Sequence, residues 1–178
     1  ELTRVLERLA PNPTEGNPPP FLKGEGPDAV RVSVDPDPSK HVIAHVFKVT
    51  IDPFVGKLGI FRVHQGTVKA GAQLLVGDAR KPIKIAHLFQ LQGKEHVEVP
   101  QAVPGDICAV PKIDELHFDA VLHDSHDEDH HHLKSVSFPP PMLGVAIRAE
   151  KRGEEQKLSE SLHRLVAADP CVRVEHHT

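Results

Sequence analysis

Tryptophan and tyrosine are missing from this sequence, and methionine occurs once. A core must therefore be built from Val, Leu, Ile and the seven Phe. The chain also lacks the large amphipathic rings that anchor many recognition surfaces. Cysteine is scarce: Cys108 and Cys171 lie far apart and give no disulfide framework. Reduced thiols in a cytoplasmic protein are the expectation. No apolar run approaches the ~20 residues that a membrane-spanning helix needs. The N-terminus shows no basic-then-apolar signal pattern. No G-x-x-x-x-G-K-[ST] phosphate loop and no G-x-S-x-G elbow occurs in the 178 residues. No catalytic constellation assembles from the sequence, so this stretch is expected to be non-enzymatic.

What is plentiful is proline, seventeen in all, which cuts the chain into short elements. The formal net charge of −4 conceals a division. Residues 41–113 hold nine Lys and Arg against five acids, whereas 114–132 hold seven acids and no Lys or Arg. A globally acidic chain is a poor free-standing nucleic-acid binder, because phosphate neutralisation drives that affinity. A locally basic domain attached to a larger body remains compatible with such a partner.

The centre of the chain is His45 to Val63. Phe47, Val49 and Ile51 alternate with Lys48 and Thr50, the period of a half-buried strand. Asp52-Pro53 breaks the ladder, Gly56 permits a positive φ, and the chain returns through Leu58, Ile60 and Val63. Strands are expected at 42–51, 57–63, 73–77, 82–89, 95–99 and 106–111. Within 82–89, Ile83, Ile85, His87 and Phe89 alternate against Lys84, Ala86 and Leu88. Six short strands at this spacing fit a barrel or a sandwich.

The stretch VFKVTIDPFVGKLGIFRVHQGTVKAG, Val46 to Gly71, resembles the opening of the second domain of elongation factor G and related translational GTPases. The resemblance selects the barrel. Further on, PPPMLGVAIRAEKRGEEQKLSESLHRLVAADPCVRVEHHT, residues 139–178, is similar to the first half of the same family's third domain. The expected fold is therefore mainly β: a six-stranded β-barrel of the translation-factor type, then a partial ferredoxin-like β-α-β unit. VHQGTVKAG, LQGKEHVEV and HDSHDEDHHH depart from standard elongation factor G, which points toward an elongation-factor-G-like paralogue.

The expected layout has four parts. Residues 1–40 are the end of a GTPase-domain helix, with Leu2, Val5, Leu6 and Leu9 on one stripe, followed by a linker. Residues 41–122 are the barrel. Residues 123–138 are an acidic, His-rich connector, exposed and mobile, since HDSHDEDHHH has no apolar anchor. Residues 139–178 are the β-α-β half-domain: a strand at 142–147, a helix over 154–168 with Leu158, Leu162, Leu165 and Val166 on one face, and a strand at 171–175. The strand that would lie between those two is not among these residues. An irregular C-terminal segment, or a homodimer that completes the edges, is the expectation.

Lys57, Arg62, Lys69, Arg80, Lys81 and Lys84 are the candidates for ribosomal-RNA contact; the bland reading is a solvated basic face, and Arg62 also reads as a structural ion-pair partner. Phe54, in the Asp52–Gly56 loop, reads as a cap on the barrel core, with a contact surface as the alternative. His126, His130 and His132 are ligand types for Zn²⁺ or Ni²⁺, but their spacing fits no closed tetrahedral site, so no metal is assigned. Cys108 reads as a small core residue, and His163 as an exposed helix residue. The resemblance implies a piece of a translational GTPase that works on the ribosome. The barrel would dock on a GTPase domain and on small-subunit ribosomal RNA. GTP and Mg²⁺ are implied only for the whole protein. The alternative is a stand-alone interaction or metal-binding barrel that uses the His/Asp-rich connector.

Overall fold

The computed structural model describes residues 1–178 apart from 13–19, 53, 54, 94, 135, 152 and 176–178. The described elements run α1 (Leu2–Leu9), β1 (Phe21–Lys23), β2 (Val30–Val32), β3 (Ile43–Asp52), β4 (Gly56–Gln65) and β5 (Val68–Lys69). They continue with β6 (Gln73–Val76), β7 (Ile83–Lys84), β8 (Phe89–Gln92), β9 (Glu95–Glu98) and β10 (Gln101–Ala102). β11 (Ile107–Pro111), β12 (Val121–His123), β13 (His131–Leu133) and α2 (Glu155–Ala168) complete the order.

Eight strands form one curled antiparallel sheet in the order β7-β6-β12-β3-β4-β11-β8-β9. β5 and β10 form a separate ribbon that links its two ends. Just past β5, Gly71 N–H donates to Ile85 O and Ile85 N–H donates to Ala72 O, beside β7. At the other end Ala70 N–H donates to Pro100 O, and Val99 N–H to Leu88 O. The mainly β, barrel-like fold expected from the sequence is thus present, with more strands than the six anticipated.

The β3–β4 hairpin is the longest ladder, and its alternation differs from the sequence reading. Ala44 and Val46 face the core before a register shift between Val46 and Lys48, and Val49 faces it afterwards. One extra residue in β3 reverses the parity. Phe47 is therefore turned outward and 38% exposed. The expected 82–89 strand also divides. Ile83 and Ile85 are buried, but the inward position then falls to Leu88, with His87 exposed. Inside the sheet, Val42, Phe61, Val63, Leu74, Cys108 and Leu122 belong to one buried cluster. The loop reading for Phe54 concerns a residue outside the described set.

The flanks are organised differently from expectation. β13, β1 and β2 form a three-stranded antiparallel sheet, in which Phe21 pairs with Leu133 and Lys23 with His131. Its apolar side covers the outward-facing Ile43 of β3 and Val121 of β12, through Phe21 and Val34. Residues 20–34 are thus not a bare linker, and 123–133 is not an unanchored connector. Buried anchors exist in the polar run: His123 is 1% exposed and His131 9%. α1 keeps its whole stripe exposed, including Leu2 and Leu9. In the C-terminal segment the helix forms where expected and lies beside β3. Residues 142–147 and 171–175, however, form no strand, and Met142, Leu143, Val145 and Ile147 stay exposed. Strands need a hydrogen-bonded neighbour, and none pairs with them among the described residues.

Candidate functional site

Four of the six candidate cations gather at one edge of the sheet. Lys84 alternates with the buried Ile83 and Ile85, so its side chain faces solvent. Lys69 stands beside the buried Val68 in the ribbon strand whose continuation bonds to Ile85. Arg80 and Lys81 are exposed in the turn between β6 and β7. None of the four forms an ion pair with a carboxylate among the described residues. Exposed cations without carboxylate partners are chemically able to contact phosphate, a contact that positions a partner without reading its sequence.

Lys57 and Arg62 do not join this group. Lys57 Nζ donates to Asp114 O at 2.7 Å, which ties the start of β4 to the loop after β11. Arg62 is exposed on β4, opposite His45 of β3 and Ile107 of β11. Its neighbour His64 sits edge-on to Phe21, with ring centroids 5.1 Å apart. Burial, then the charges of Arg62 and His45, push the His64 imidazole down from 6.5 to about 4. Burial likewise raises the Cys108 thiol to about 11, with Asp106 adding to it, which makes this thiol inert at neutral pH.

The histidine-rich segment is held by its own bonds. His123 Nε2 lies 2.7 Å from Gly77 O, and its Nδ1 lies 2.8 Å from Ser125 O. His131 Nδ1 lies 2.8 Å from Glu128 O. Ser125 caps a short turn by accepting from Asp127 N–H. The three candidate ligands are not brought together as a set. His126 Nδ1 is 3.1 Å from Asp129 Oδ2, while His130 turns to Asp78, with Nδ1 3.1 Å from Oδ2. His132 Nδ1 faces His130 O at 3.3 Å. His130 and His132 do line one open groove of about 320 Å³, together with Glu25, Asp78 and His117. Glu25 and Asp78 escaped the sequence reading, because nothing in local spacing links positions so far apart in the chain.

Comparison with known proteins follows the same division. Residues 41–124 match the family model for elongation factor G domain 2, and residues 138–178 match that for elongation factor G domain III. Elongation factor G 2 of Desulfotalea psychrophila is 35% identical over 167 residues, covering 94% of this chain. The chain spans only 23% of the length of that relative. A crystal structure of a Thermus thermophilus protein superposes with a TM-score of 0.70 at 28% identity, over 98% of this chain and 23% of that one.

Proposed function

We propose that this chain, which carries domains of elongation factor G type, domain 2 and domain III, works in protein synthesis as the docking section of a ribosome-bound GTPase. In this reading the barrel rests on small-subunit ribosomal RNA through the edge formed by Lys69, Arg80, Lys81 and Lys84. A GTPase domain of the whole protein packs on the exposed stripe of α1. The division 1–40, 41–122, 123–138 and 139–178 serves as its domain plan, with the first and third parts stitched together by β1 and β13. The sequence carries no phosphate loop of the G-x-x-x-x-G-K-[ST] type. GTP and Mg²⁺ therefore belong to the proposal only for the whole protein, as does cytoplasmic work.

The observation that carries the reading is the coincidence of the family match over 41–124 with a barrel that concentrates unpaired cations at one edge. Co-sedimentation with ribosomal small subunits tests it. Binding should be salt-sensitive. Replacing Lys69, Arg80, Lys81 and Lys84 by Gln should flatten the dependence of log K on log salt by about 3 units of slope, at ~0.7–0.9 per phosphate contact. Lys57→Gln and Arg62→Gln should leave the slope unchanged. Equal loss from both sets of substitutions would remove the assignment of this edge.

A further inference from the structure

We propose that Glu25, Asp78 and His130 form a binding site for one divalent transition-metal ion of the zinc class. The three come from separate places: Glu25 follows β1, Asp78 lies in the turn after β6, and His130 precedes β13. Tertiary structure, not a local histidine run, brings them together. One ligand atom from each lies within 4.8 Å of the other two.

The geometry is close to a coordination shell. With metal–ligand bonds of ~2.0–2.2 Å, a tetrahedral site has ligand–ligand edges of ~3.3–3.6 Å. His130 Nδ1 and Asp78 Oδ2 are already 3.1 Å apart. Asp78 is anchored for the task, because its Oδ1 accepts His130 N–H at 2.8 Å. Glu25 is exposed and closes the remaining distance by side-chain rotation.

The electrostatics point the same way. Two carboxylates meet here, and no Lys or Arg pairs with either among the described residues. The nearest lysine in the chain, Lys23, donates instead to Asp127 O. One imidazole with two carboxylates suits Zn²⁺ and its neighbours, whereas Ca²⁺ and Mg²⁺ prefer all-oxygen sets. The remaining coordination position opens onto the groove and takes water. The bound ion would join the strand before the barrel, the β6–β7 turn and the segment after the barrel. This site excludes His126, which is engaged with Asp129, and is independent of the ribosomal reading.

Calorimetry with ZnCl₂ on the metal-stripped 178-residue chain tests it. The expected result is one saturable event, with a rise in the thermal midpoint. Glu25→Gln removes an exposed ligand that makes no other bond among the described residues, and should weaken binding at least ~10-fold. His130→Asn removes the imidazole but tolerates the left-handed backbone at this position, where φ is 62°; it should do the same. His126→Ala and His132→Ala should bind as the parent does. The proposal is overturned by the absence of a saturable event, by a multi-ion titration that tracks the histidine run, or by full affinity in Glu25→Gln.

Discussion

The perturbation with the clearest structural arithmetic is Gly66→Ala. Gly66 has φ of +72°, and a Cβ there would lie 2.7 Å from His41 O, Val42 N and Val42 Cα. All three neighbours are backbone, so no rotamer change relieves the contact. The surrounding clasp is already taut: Gly66 N–H donates to Asp37 O at 2.9 Å, and Thr67 Oγ1 to Pro38 O at 2.8 Å. Gln65 Nε2 donates to His41 O at 3.1 Å. The left-handed conformation costs alanine about 1–2 kcal/mol. Forcing a methyl against fixed backbone adds about 1–3 kcal/mol. Gly71 is the internal control, with φ of +86° and nothing within 4 Å of the new Cβ. Gly71→Ala should lose only the conformational part. Urea unfolding of both variants should therefore place Gly66→Ala at least ~1 kcal/mol below Gly71→Ala. In thermal melts the gap corresponds to roughly 2–4 °C for each kcal/mol. Equal destabilisation would show that the loop moves aside freely and that the clasp on residues 37–42 is loose.

His64 predicts a pH effect. Its folded value, about 4, is below the ordinary 6.5, so the unfolded chain takes up the proton first. Stability is intact above neutrality and falls as pH drops from 6.5 toward 4. Urea midpoints should decline more steeply over that window in the parent than in His64→Leu; parallel profiles would refute the assignment. Thiol titration with a disulfide reagent should label Cys171, which is half-buried, rapidly under native conditions, and Cys108, which is 2% exposed, only on unfolding. Simultaneous labelling would contradict the burial of β11.

Much of the barrel was legible because its strands carry their own evidence. Val49 and Val63, named from the apolar pattern, are in the main core, whereas Leu58 and Ile60 pack in a second cluster, and Gly56 sits at the turn that needs it. The parity switch at Phe47 was not legible, since a bulge is set by how two strands register and leaves no local mark. The short strands β5, β10 and β12 escaped for a similar reason. Two or three residues are too few to establish a period, and their pairing partners are remote in sequence. The segment around His123 misled by composition. Its polar residues look solvated one at a time, yet the buried His123 ring lies within hydrogen-bond distance of Gly77 O and Ser125 O, so either tautomer finds a backbone acceptor. At the basic edge, residue type alone does not sort the six candidate cations; only the fold separates Lys69 and Lys84 from Lys57, whose ammonium is already engaged by Asp114 O. At the C-terminus the helix was readable from its apolar stripe, whereas the two flanking extended segments depend on neighbours that local pattern cannot supply.

The small sheet that joins the two flanks has a mechanical meaning. Phe21 and Leu133 pair at the same end of the β1–β13 ladder, so the chain enters β1 and leaves β13 at neighbouring positions. Tension between those positions crosses this short ladder and never traverses the barrel. It meets the rungs one after another, from Phe21–Leu133 inward, as a zipper is opened, while a sliding load would strain them all at once. The ladder thus takes the first load between Phe21 and Leu133 before the barrel strands do.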